Sequence, residues 1–312
     1  MKELKIVTYN VDGLPEKLDL NDLPWILKPV SWIYKLIKKT TLININDNID
    51  SSSKTKQISN YLSKLNPDII AVQEDFNYHS ELMECLSEYK SGSYLGGFSL
   101  SKIFKAIKWF PYPRFKSDGI NLIVKNNIRI LNESIIKWNK SYGYFTHAND
   151  KLTTKGFRYY DLLINNQIRL NVYVIHMDAD FYHPENCPNV TKDIEVRKSQ
   201  FKQLVEQIKN NYINGDLNPT IIIGDTNSYN KYSWDIQNIQ ENLVQEINLI
   251  PHLFINECIP EYNDCDRIFF INHSDNNFKL EVKSCYFDTD INLSDHKPLI
   301  ATFNIIQDSL VG

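Results

Sequence analysis

The sequence has no long hydrophobic run. A membrane-spanning helix needs about 18 or more consecutive apolar residues, and no apolar stretch of the 312-residue chain approaches that length. The opening stretch, "MKELKIVTYN", contains one short apolar tract and lacks the longer apolar region of a secretory signal peptide. It therefore predicts a first β-strand, and we expect a soluble intracellular protein of the cytoplasm.

Cysteine is scarce and unpaired in the sequence. The chain contains five cysteines, an odd number, and no CxxC pair. They are Cys85, Cys187, Cys258, Cys265 and Cys285. This spacing argues against a disulfide-stabilised scaffold and against a zinc knuckle. It is typical of a protein from a reducing compartment.

An excess of positive charge is missing as well. The chain has 34 Lys and Arg residues against 38 Asp and Glu residues, which gives a formal net charge of −4. That balance argues against a uniformly basic surface for nucleic acid, although a local basic patch is compatible with it. With 42% hydrophobic residues, a chain of this length can bury a sizeable core.

Short apolar runs alternate with amphipathic stretches along the chain. Runs rich in Ile, Val, Phe and Tyr predict strands at 4–10, 68–75, 119–125, 169–178, 220–227, 266–271 and 296–305. Apolar residues at helical spacing predict helices at 54–66 and 193–212. The polar segment 44–56 predicts an exposed loop. The pattern indicates an α/β fold, and we expect one domain over 1–312.

Polar side chains stand at the ends of these predicted strands. They are Asn10, Glu74, His176, Asp178, Asp225, Asn227, Asp266, Asp295 and His296. Any one of them alone is explained by a turn or a surface contact, but their recurrence at six strand ends predicts that one edge of the fold gathers them. Carboxylates and carboxamides are oxygen ligands suited to Mg²⁺ or Mn²⁺, and histidines supply proton transfer or anion binding.

Six motifs carry a resemblance to a known family. In chain order they are "TYNVDGLP", "VQED", "HMDAD", "GDTNS", "CDRIFF" and "SDHKPL". Their order resembles the endonuclease/exonuclease/phosphatase superfamily, which includes DNase I, abasic-site endonucleases, neutral sphingomyelinases and inositol polyphosphate 5-phosphatases. The resemblance implies a four-layer α/β sandwich of two packed mixed β-sheets flanked by helices, with a metal-dependent phosphoesterase site at one edge.

The resemblance also implies a metal site. Glu74 looks like the principal metal-binding carboxylate, and Asn10 and Asp295 are expected beside the metal. The implied cofactor is Mg²⁺, with Mn²⁺ as the alternative. For substrate binding we expect contributions from Asp178, from Asp118, and from Lys155 in "TTKGF", although a plain turn explains Asp118 equally well.

Catalytic roles carry over onto five residues. Asp225 resembles the residue that orients or deprotonates the attacking water, and Asn227 the amide that holds a phosphate oxygen without repelling it. His176 is similar to the family's phosphate-binding histidine. His296 is expected at the scissile phosphate, with Asp266 accepting from its other ring nitrogen. Asp225 and His296 are both candidates for the general base, and we favour Asp225 because a carboxylate beside a divalent cation stays ionised.

Two segments mix basic and aromatic residues, and both look like insertions, at about 20–55 and 92–116. They are "WILKPVSWIYKLIKK" at 25–39 and "SKIFKAIKWFPYPRFK" at 101–116. Lysines interleaved with large rings suit an anionic lipid surface and equally suit single-stranded nucleic acid. Packing of amphipathic helices against the core is the third interpretation.

The substrate prediction follows from the branch of the family. "KGF", "HMDA" and the Arg197–Gln200 spacing resemble the bacterial neutral sphingomyelinase-like branch, although the missing signal peptide argues against a secreted toxin. We therefore predict a monomeric Mg²⁺-dependent phosphodiesterase that hydrolyses a sphingomyelin-like lipid or a related phosphodiester by water attack. A DNA endonuclease or exonuclease is the first alternative. An inositol polyphosphate phosphatase and a non-catalytic binding module are further alternatives.

Overall fold

Two six-stranded mixed β-sheets pack face to face, with helices on their outer surfaces. The computed structural model describes residues 2–13, 51–96, 117–142, 154–179, 190–229, 233–261 and 265–307. The strands are β1 (Lys2–Asn10), β2 (Ile69–Gln73), β3 (Tyr89–Ser91), β4 (Asn121–Lys125), β5 (Ile128–Lys137), β6 (Gly156–Ile164), β7 (Ile168–His176), β8 (Thr220–Asp225), β9 (Leu253–Glu257), β10 (Asp266–His273), β11 (Phe278–Phe287) and β12 (Leu299–Gln307).

The helices connect strands within each sheet. They are α1 (Ser51–Leu65), α2 (His79–Met83), α3 (Val190–Ile213), α4 (Ser233–Ile239) and α5 (Gln245–Asn248), with a π-helical turn (Gln240–Val244) joining the last two. The first sheet has the strand order β11-β12-β1-β2-β4-β3, and the second has the order β5-β6-β7-β8-β10-β9. None of the described helices combines the length and the apolar composition needed to cross a bilayer.

The alternation of side chains along each strand explains the layers. In β8, Ile221 and Ile223 point into the core between the two sheets, whereas Ile222 packs beneath α3. In β2, Ala71 belongs to the central core, whereas Val72 packs beneath α1. Because successive strand residues face opposite sides, both faces of these central strands are apolar and covered. This is the predicted four-layer α/β sandwich.

The pairing of strands brings their polar ends to one edge. Strands β1 and β2 run parallel with Asn10 opposite Gln73, and β7 and β8 run parallel with His176 opposite Asp225. Parallel strands end on the same side of a sheet. Strand β10 runs antiparallel to β8 and begins where β8 ends, with Asp266 opposite Asp225. Strand β12 likewise begins beside the end of β1, so six strands have the ends that carry polar residues at a single edge.

Each strand and helix predicted from the sequence is present, with different bounds. The prediction of a loop over 44–56 is wrong at its C-terminal end, because residues 51–56 already belong to α1. Contacts to distant residues hold this first turn in place, since the Lys54 ammonium lies 2.8 Å from an Asp12 carboxylate oxygen. The basic-aromatic segments 25–39 and 101–116 lie outside the described residues.

Candidate active site

The side chain of Asn10 lies at the meeting point of the two sheets. Its Nδ2 is 3.2 Å from Glu74 Oε1, 3.3 Å from Asp225 Oδ2 and 3.5 Å from His296 Nε2. Its Oδ1 accepts a hydrogen bond from the Asp12 backbone N–H at 3.1 Å. One amide thus connects polar groups from the ends of β1, β2 and β8 and from the loop before β12.

The backbone at Glu74 is strained. This glutamate has φ +60°, a left-handed conformation that costs a residue with a Cβ about 1–2 kcal/mol. The Glu74 carbonyl accepts hydrogen bonds from Gly13 N at 3.1 Å and Phe76 N at 2.8 Å, which hold the turn. Asp12 (φ +46°) and Asn227 (φ +49°) share this conformation. Strain of this kind concentrates at functional sites, and here it turns a carboxylate out of the end of β2.

The environment of Glu74 disfavours a bare carboxylate. Burial, followed by the charges of Asp295 and Asp12, raises its pKa to about 7. A divalent cation would lower the pKa of Glu74 again, because it neutralises the clustered negative charge. The nearby donor atoms are carboxylate and amide oxygens, which are the ligands that Mg²⁺ and Mn²⁺ prefer. The residues present therefore fit the expected cation.

His296 and Asp266 form a close pair at the same edge. His296 Nδ1 lies 2.6 Å from Asp266 Oδ2, and His296 Nε2 lies 3.8 Å from Asp225 Oδ2. Burial is the largest influence and lowers the pKa of His296, but the charges of Asp266 and Cys265 and the hydrogen bonds to both together raise it well above the ordinary value. His296 is therefore an imidazolium at neutral pH, with Nδ1–H donated to Asp266 and Nε2–H available.

Asp225 is held in the ionised state. Burial raises the pKa of Asp225, but the positive charges around it, that of His296 first, lower this pKa by more, so that the net shift is downward. Asp225 Oδ1 accepts a hydrogen bond from Asn227 N at 2.8 Å. The preceding Gly224 has φ +138°, and a Cβ there would lie 2.2 Å from the Ile175 carbonyl oxygen. Only glycine fits at this turn.

His176 and Lys155 lie beneath the two carboxylates. His176 Nε2 is 3.6 Å from Asp225 Oδ2 and 4.0 Å from Glu74 Oε1. Burial, followed by the charge of Lys155, lowers the pKa of His176 well below its ordinary value, so this imidazole is neutral. Lys155 is 9% exposed and its ammonium donates to the Met177 carbonyl at 3.4 Å. A neutral imidazole and a buried cation thus lie side by side.

Asn227 and Asp295 complete the group. Asn227 Nδ2 also donates to the Met177 carbonyl, at 2.9 Å, which leaves its second amide hydrogen for another acceptor. Asp295 is exposed on the loop before β12, and its charge is the second cause of the raised pKa of Glu74. Every predicted metal or catalytic residue therefore lies at this edge.

Two predicted substrate-binding carboxylates have structural partners instead. Arg158 binds Asp118 through two hydrogen bonds of 2.7 Å each, and both side chains are buried. Asp178 is fully buried and accepts hydrogen bonds of 2.7 Å from Tyr142 N and from Gln200 Nε2. These carboxylates fasten neighbouring segments together, whereas Lys155, the third predicted substrate-binding residue, lies within the site.

Sequence reasoning missed three residues that support the site. Ser294 Oγ donates to the Asn10 carbonyl at 2.7 Å and accepts from His296 N at 3.3 Å, so it anchors the loop that carries His296. Gln73 is fully buried beneath the site, and its Oε1 accepts from Thr8 Oγ1 at 3.0 Å. Cys265 Sγ lies 3.8 Å from His296 Nδ1. In the sequence, these residues stand next to predicted site residues, in "LSDH", "VQED" and "DCDR", and this proximity was the feature that could have identified them.

Comparisons with known proteins find matches among solved structures. No protein-family model matches the chain, and no curated protein matches it. A beta toxin structure from Staphylococcus aureus aligns at 17% identity over 96% of this chain and 99% of the toxin chain, with a TM-score of 0.60. A humanized TDP2 from D. rerio aligns at 15% identity over 97% and 99% of the two chains, with a TM-score of 0.57.

A third match is an endonuclease/exonuclease/phosphatase from Bacteroides vulgatus. It aligns at 13% identity over 98% of this chain and 100% of its own, with a TM-score of 0.57. Further structures of the first two proteins contain ligands: a beta toxin mutant has bound magnesium ions, and D. rerio TDP2 is complexed with a single-strand DNA product. Their TM-scores with this chain are 0.56 and 0.57.

Proposed function

We propose, because this chain has the DNase I-like fold of the endonuclease/exonuclease/phosphatase superfamily, that it is a divalent-metal-dependent phosphoesterase. The observation that carries the proposal is the contact of Asn10 with Glu74, Asp225 and His296 at one sheet edge. The Asn10 amide thus lies within 3.5 Å of the ionised carboxylate of Asp225, the imidazolium of His296 and the carboxylate of Glu74, whose raised pKa favours a nearby cation. That combination serves hydrolysis of an anionic ester.

The proposed metal residues are Glu74, Asn10 and Asp295. Glu74 supplies the central carboxylate, and Asp295 adds negative charge from the facing loop. Mg²⁺ is the proposed ion, with Mn²⁺ as the alternative, because these donors are oxygens. Bound there, the cation would supply positive charge to neutralise the phosphate and polarise its ester bond.

Asp225 is proposed as the general base. Its lowered pKa keeps it ionised at neutral pH, and its Oδ2 faces the interior of the site beside Asn10. A water held against this oxygen would lose its proton to Asp225 as it attacks phosphorus. Positioned general bases contribute about 10²–10⁴-fold to the rate.

His296 is proposed to meet the negative charge that develops on the reacting phosphate. Its Nδ1–H is taken by Asp266, so its Nε2–H is the proton left to offer. From Nε2 it can stabilise a phosphoryl oxygen or protonate the leaving oxygen. One preorganised donor of this kind is worth about 10²–10³-fold in kcat.

A group of donors is available to bind the non-reacting phosphate oxygens. Asn227 and Lys155 donate to the same carbonyl, that of Met177, which places an uncharged amide and an ammonium next to each other. The neutral His176 lies beside them. We propose that Asn227, His176 and Lys155 hold the phosphodiester while Asp225 activates water.

The proposed substrate class is a phosphodiester, with a sphingomyelin-like lipid first and DNA second. The lipid proposal is supported by the motifs "KGF" and "HMDA". Lys155 of the first motif lies in the site, and Asp178 of the second accepts a hydrogen bond from Gln200. The DNA alternative is supported by the TDP2 structure that contains a single-strand DNA product.

The test is a parallel assay of three substrates with Mg²⁺ and with EDTA. Sphingomyelin in liposomes, plasmid DNA and a soluble inositol polyphosphate would each be incubated with wild type, Asp225→Asn and His296→Ala. Asp275→Asn is the matched control, because Asp275 lies in the exposed turn beyond the far end of β10. We expect Mg²⁺-dependent turnover of one substrate in wild type and control, and a loss of about 10²-fold or more in both site variants.

The outcomes separate the alternatives. Turnover of the lipid or of DNA identifies the substrate, and turnover of the inositol phosphate makes the protein a phosphatase. Near wild-type activity in both site variants would contradict the site assignment. Mg²⁺ binding without turnover of any of the three substrates would favour the non-catalytic binding module.

A further inference from the structure

A thiol stands beside the proposed catalytic pair. Asp225, Cys265 and His296 each offer one ligand atom, and these atoms all lie within 4.8 Å of one another. Among the described residues this is the group of His, Cys, Asp and Glu side chains that meets such spacing, and it does not include Glu74 or Asp295. The proposed Mg²⁺ residues and this thiol-containing cluster are therefore different sets that adjoin.

The backbone around Cys265 fixes the position of the thiol. The Cys265 carbonyl accepts hydrogen bonds from Thr226 N at 3.0 Å and Thr226 Oγ1 at 2.7 Å. Cys265 is 1% exposed and is followed directly by Asp266, the first residue of β10. The thiol is thus tied to the same turn that presents Asp225, and it moves with the site.

The histidine of this cluster is oriented as metal-binding histidines are. Asp266 holds His296 Nδ1 at 2.6 Å, so Nε2 is the nitrogen directed towards Asp225 Oδ2, at 3.8 Å. Metal-ligating histidines commonly donate their second ring N–H to a carboxylate, which fixes the ring and its tautomer. The pair seen here has that arrangement.

The donor types select a different cation from the one at Glu74. Mg²⁺ and Mn²⁺ prefer oxygen ligands, whereas a thiolate with an imidazole selects Zn²⁺ and similar softer ions. One sulfur, one nitrogen and one carboxylate oxygen make a three-ligand set of the kind that binds Zn²⁺, with water completing a tetrahedron.

We propose that Asp225, Cys265 and His296 bind Zn²⁺ or a similar thiophilic divalent cation, and that this binding inhibits the enzyme. The cation would occupy the carboxylate and the imidazole nitrogen that catalysis needs. On binding, the Cys265 S–H proton and the His296 Nε2 proton leave to solvent, with no change of oxidation state. The inhibitory part of the proposal rests on the proposed function, whereas the binding part does not.

Cobalt spectroscopy tests the binding without any substrate. Co²⁺ would be added to metal-free wild type, Cys265→Ala, Cys265→Ser and Cys85→Ser, the last being a matched control because Cys85 is an exposed free cysteine. We expect a thiolate-to-cobalt charge-transfer band in wild type and control, absent from both Cys265 variants, and abolished when Zn²⁺ displaces Co²⁺. Wild type without the band would overturn the proposal.

A second readout tests inhibition. Zn²⁺ would be titrated into the Mg²⁺-dependent reaction, and we expect the half-inhibiting concentration to rise by at least about ten-fold in Cys265→Ala, with inhibition expressed relative to each variant's own rate without Zn²⁺. Equal Zn²⁺ sensitivity in wild type and Cys265→Ala would overturn the inhibitory role. The charge-transfer band in a protein that turns over no substrate would refute the proposed function and leave the cation site standing. Thermal unfolding of each variant would establish that it is folded. If Cys265→Ala does not fold, the comparison of wild type with Cys265→Ser decides the test.

Discussion

At the scale of single residues, the site depends on opposite protonation of two histidines. Burial acts on both rings in the same direction, towards the neutral form. His296 stays charged because Asp266 lies 2.6 Å from its Nδ1, whereas His176 has Lys155 as a neighbour and becomes neutral. The carboxylate partner of one ring and the ammonium neighbour of the other thus determine which histidine is positively charged and which is neutral.

The pH dependence of activity tests the role of Asp266. In wild type, the required imidazolium of His296 is lost only as pH rises through its raised pKa, so activity should persist well above the ordinary histidine value of 6.5. Asp266→Asn removes the charge that raises this pKa, and the alkaline limb of kcat/KM should move to lower pH. A pH–rate profile with an unmoved alkaline limb in Asp266→Asn would show that another group controls it.

At the scale of elements, the end of β8 depends on a backbone that only glycine adopts. Gly224 combines φ +138° with close contact, since a Cβ would lie 2.2 Å from the Ile175 carbonyl and 3.0 Å from Gln73 Nε2. The turn that follows presents Asp225 and Asn227. The strand thus ends in a conformation that both its φ angle and its packing restrict to one residue type.

Substitution of two glycines separates packing from backbone strain. An alanine at 224 would suffer both the strain of a positive φ and a steric clash. Gly215 also has a positive φ, at +85°, but a Cβ there would meet nothing within 4 Å. We expect Gly215→Ala to lower the free energy of unfolding by about 1–2 kcal/mol and Gly224→Ala to lower it by clearly more, with loss of activity. Urea unfolding of the two variants measures the difference, and equal losses would refute the packing argument.

At the scale of the whole molecule, both sheets must pack correctly before the proposed cation site can form. Glu74 follows a strand of the first sheet and Asp225 ends a strand of the second, and Asn10 bridges them. A cation bound here stabilises only the assembled sandwich, because the unfolded chain does not hold these residues together. A ligand that binds only the folded state, present at a free concentration of about 100 times its Kd, adds about 2.7 kcal/mol to the free energy of unfolding.

The unfolding free energy with and without Mg²⁺ tests this coupling through Glu74. Its pKa rises from 4.5 to about 7 on folding, so the metal-free protein should lose stability as pH rises from about 4.5 to 7 and stay less stable above. Glu74→Gln should abolish stabilisation by Mg²⁺ and, without metal, be more stable than wild type at pH 7.5 but not at pH 4.5. Thermal and urea unfolding at both pH values measure this, and equal Mg²⁺ stabilisation of both proteins would contradict it.

Much of the architecture was predictable from local pattern. The four-layer sandwich is confirmed by the two packed sheets and by the solved structures that align with this chain. Strands β3, β5, β6, β9 and β11 were not predicted. Four of them, β3, β5, β9 and β11, are edge strands, and edge strands carry exposed polar residues between apolar ones, as in "IRILNESIIK". Strand β6 is an inner strand whose apolar run is interrupted by the buried charged residues Arg158 and Asp161. A central strand such as β8 is buried throughout and therefore reads clearly in the sequence.

The sequence by itself determined which residues could act, because Glu74, Asp225, Asn227 and His296 follow or precede strands whose apolar runs are visible in the chain. Only the tertiary structure decided which of them are available and in what charge state. Asp118 and Asp178 look equivalent to Asp225 in sequence, yet Arg158 and Gln200 bind them in the interior. A pKa and a hydrogen-bond partner depend on burial and on residues far away in the chain, and packing of the two sheets creates both.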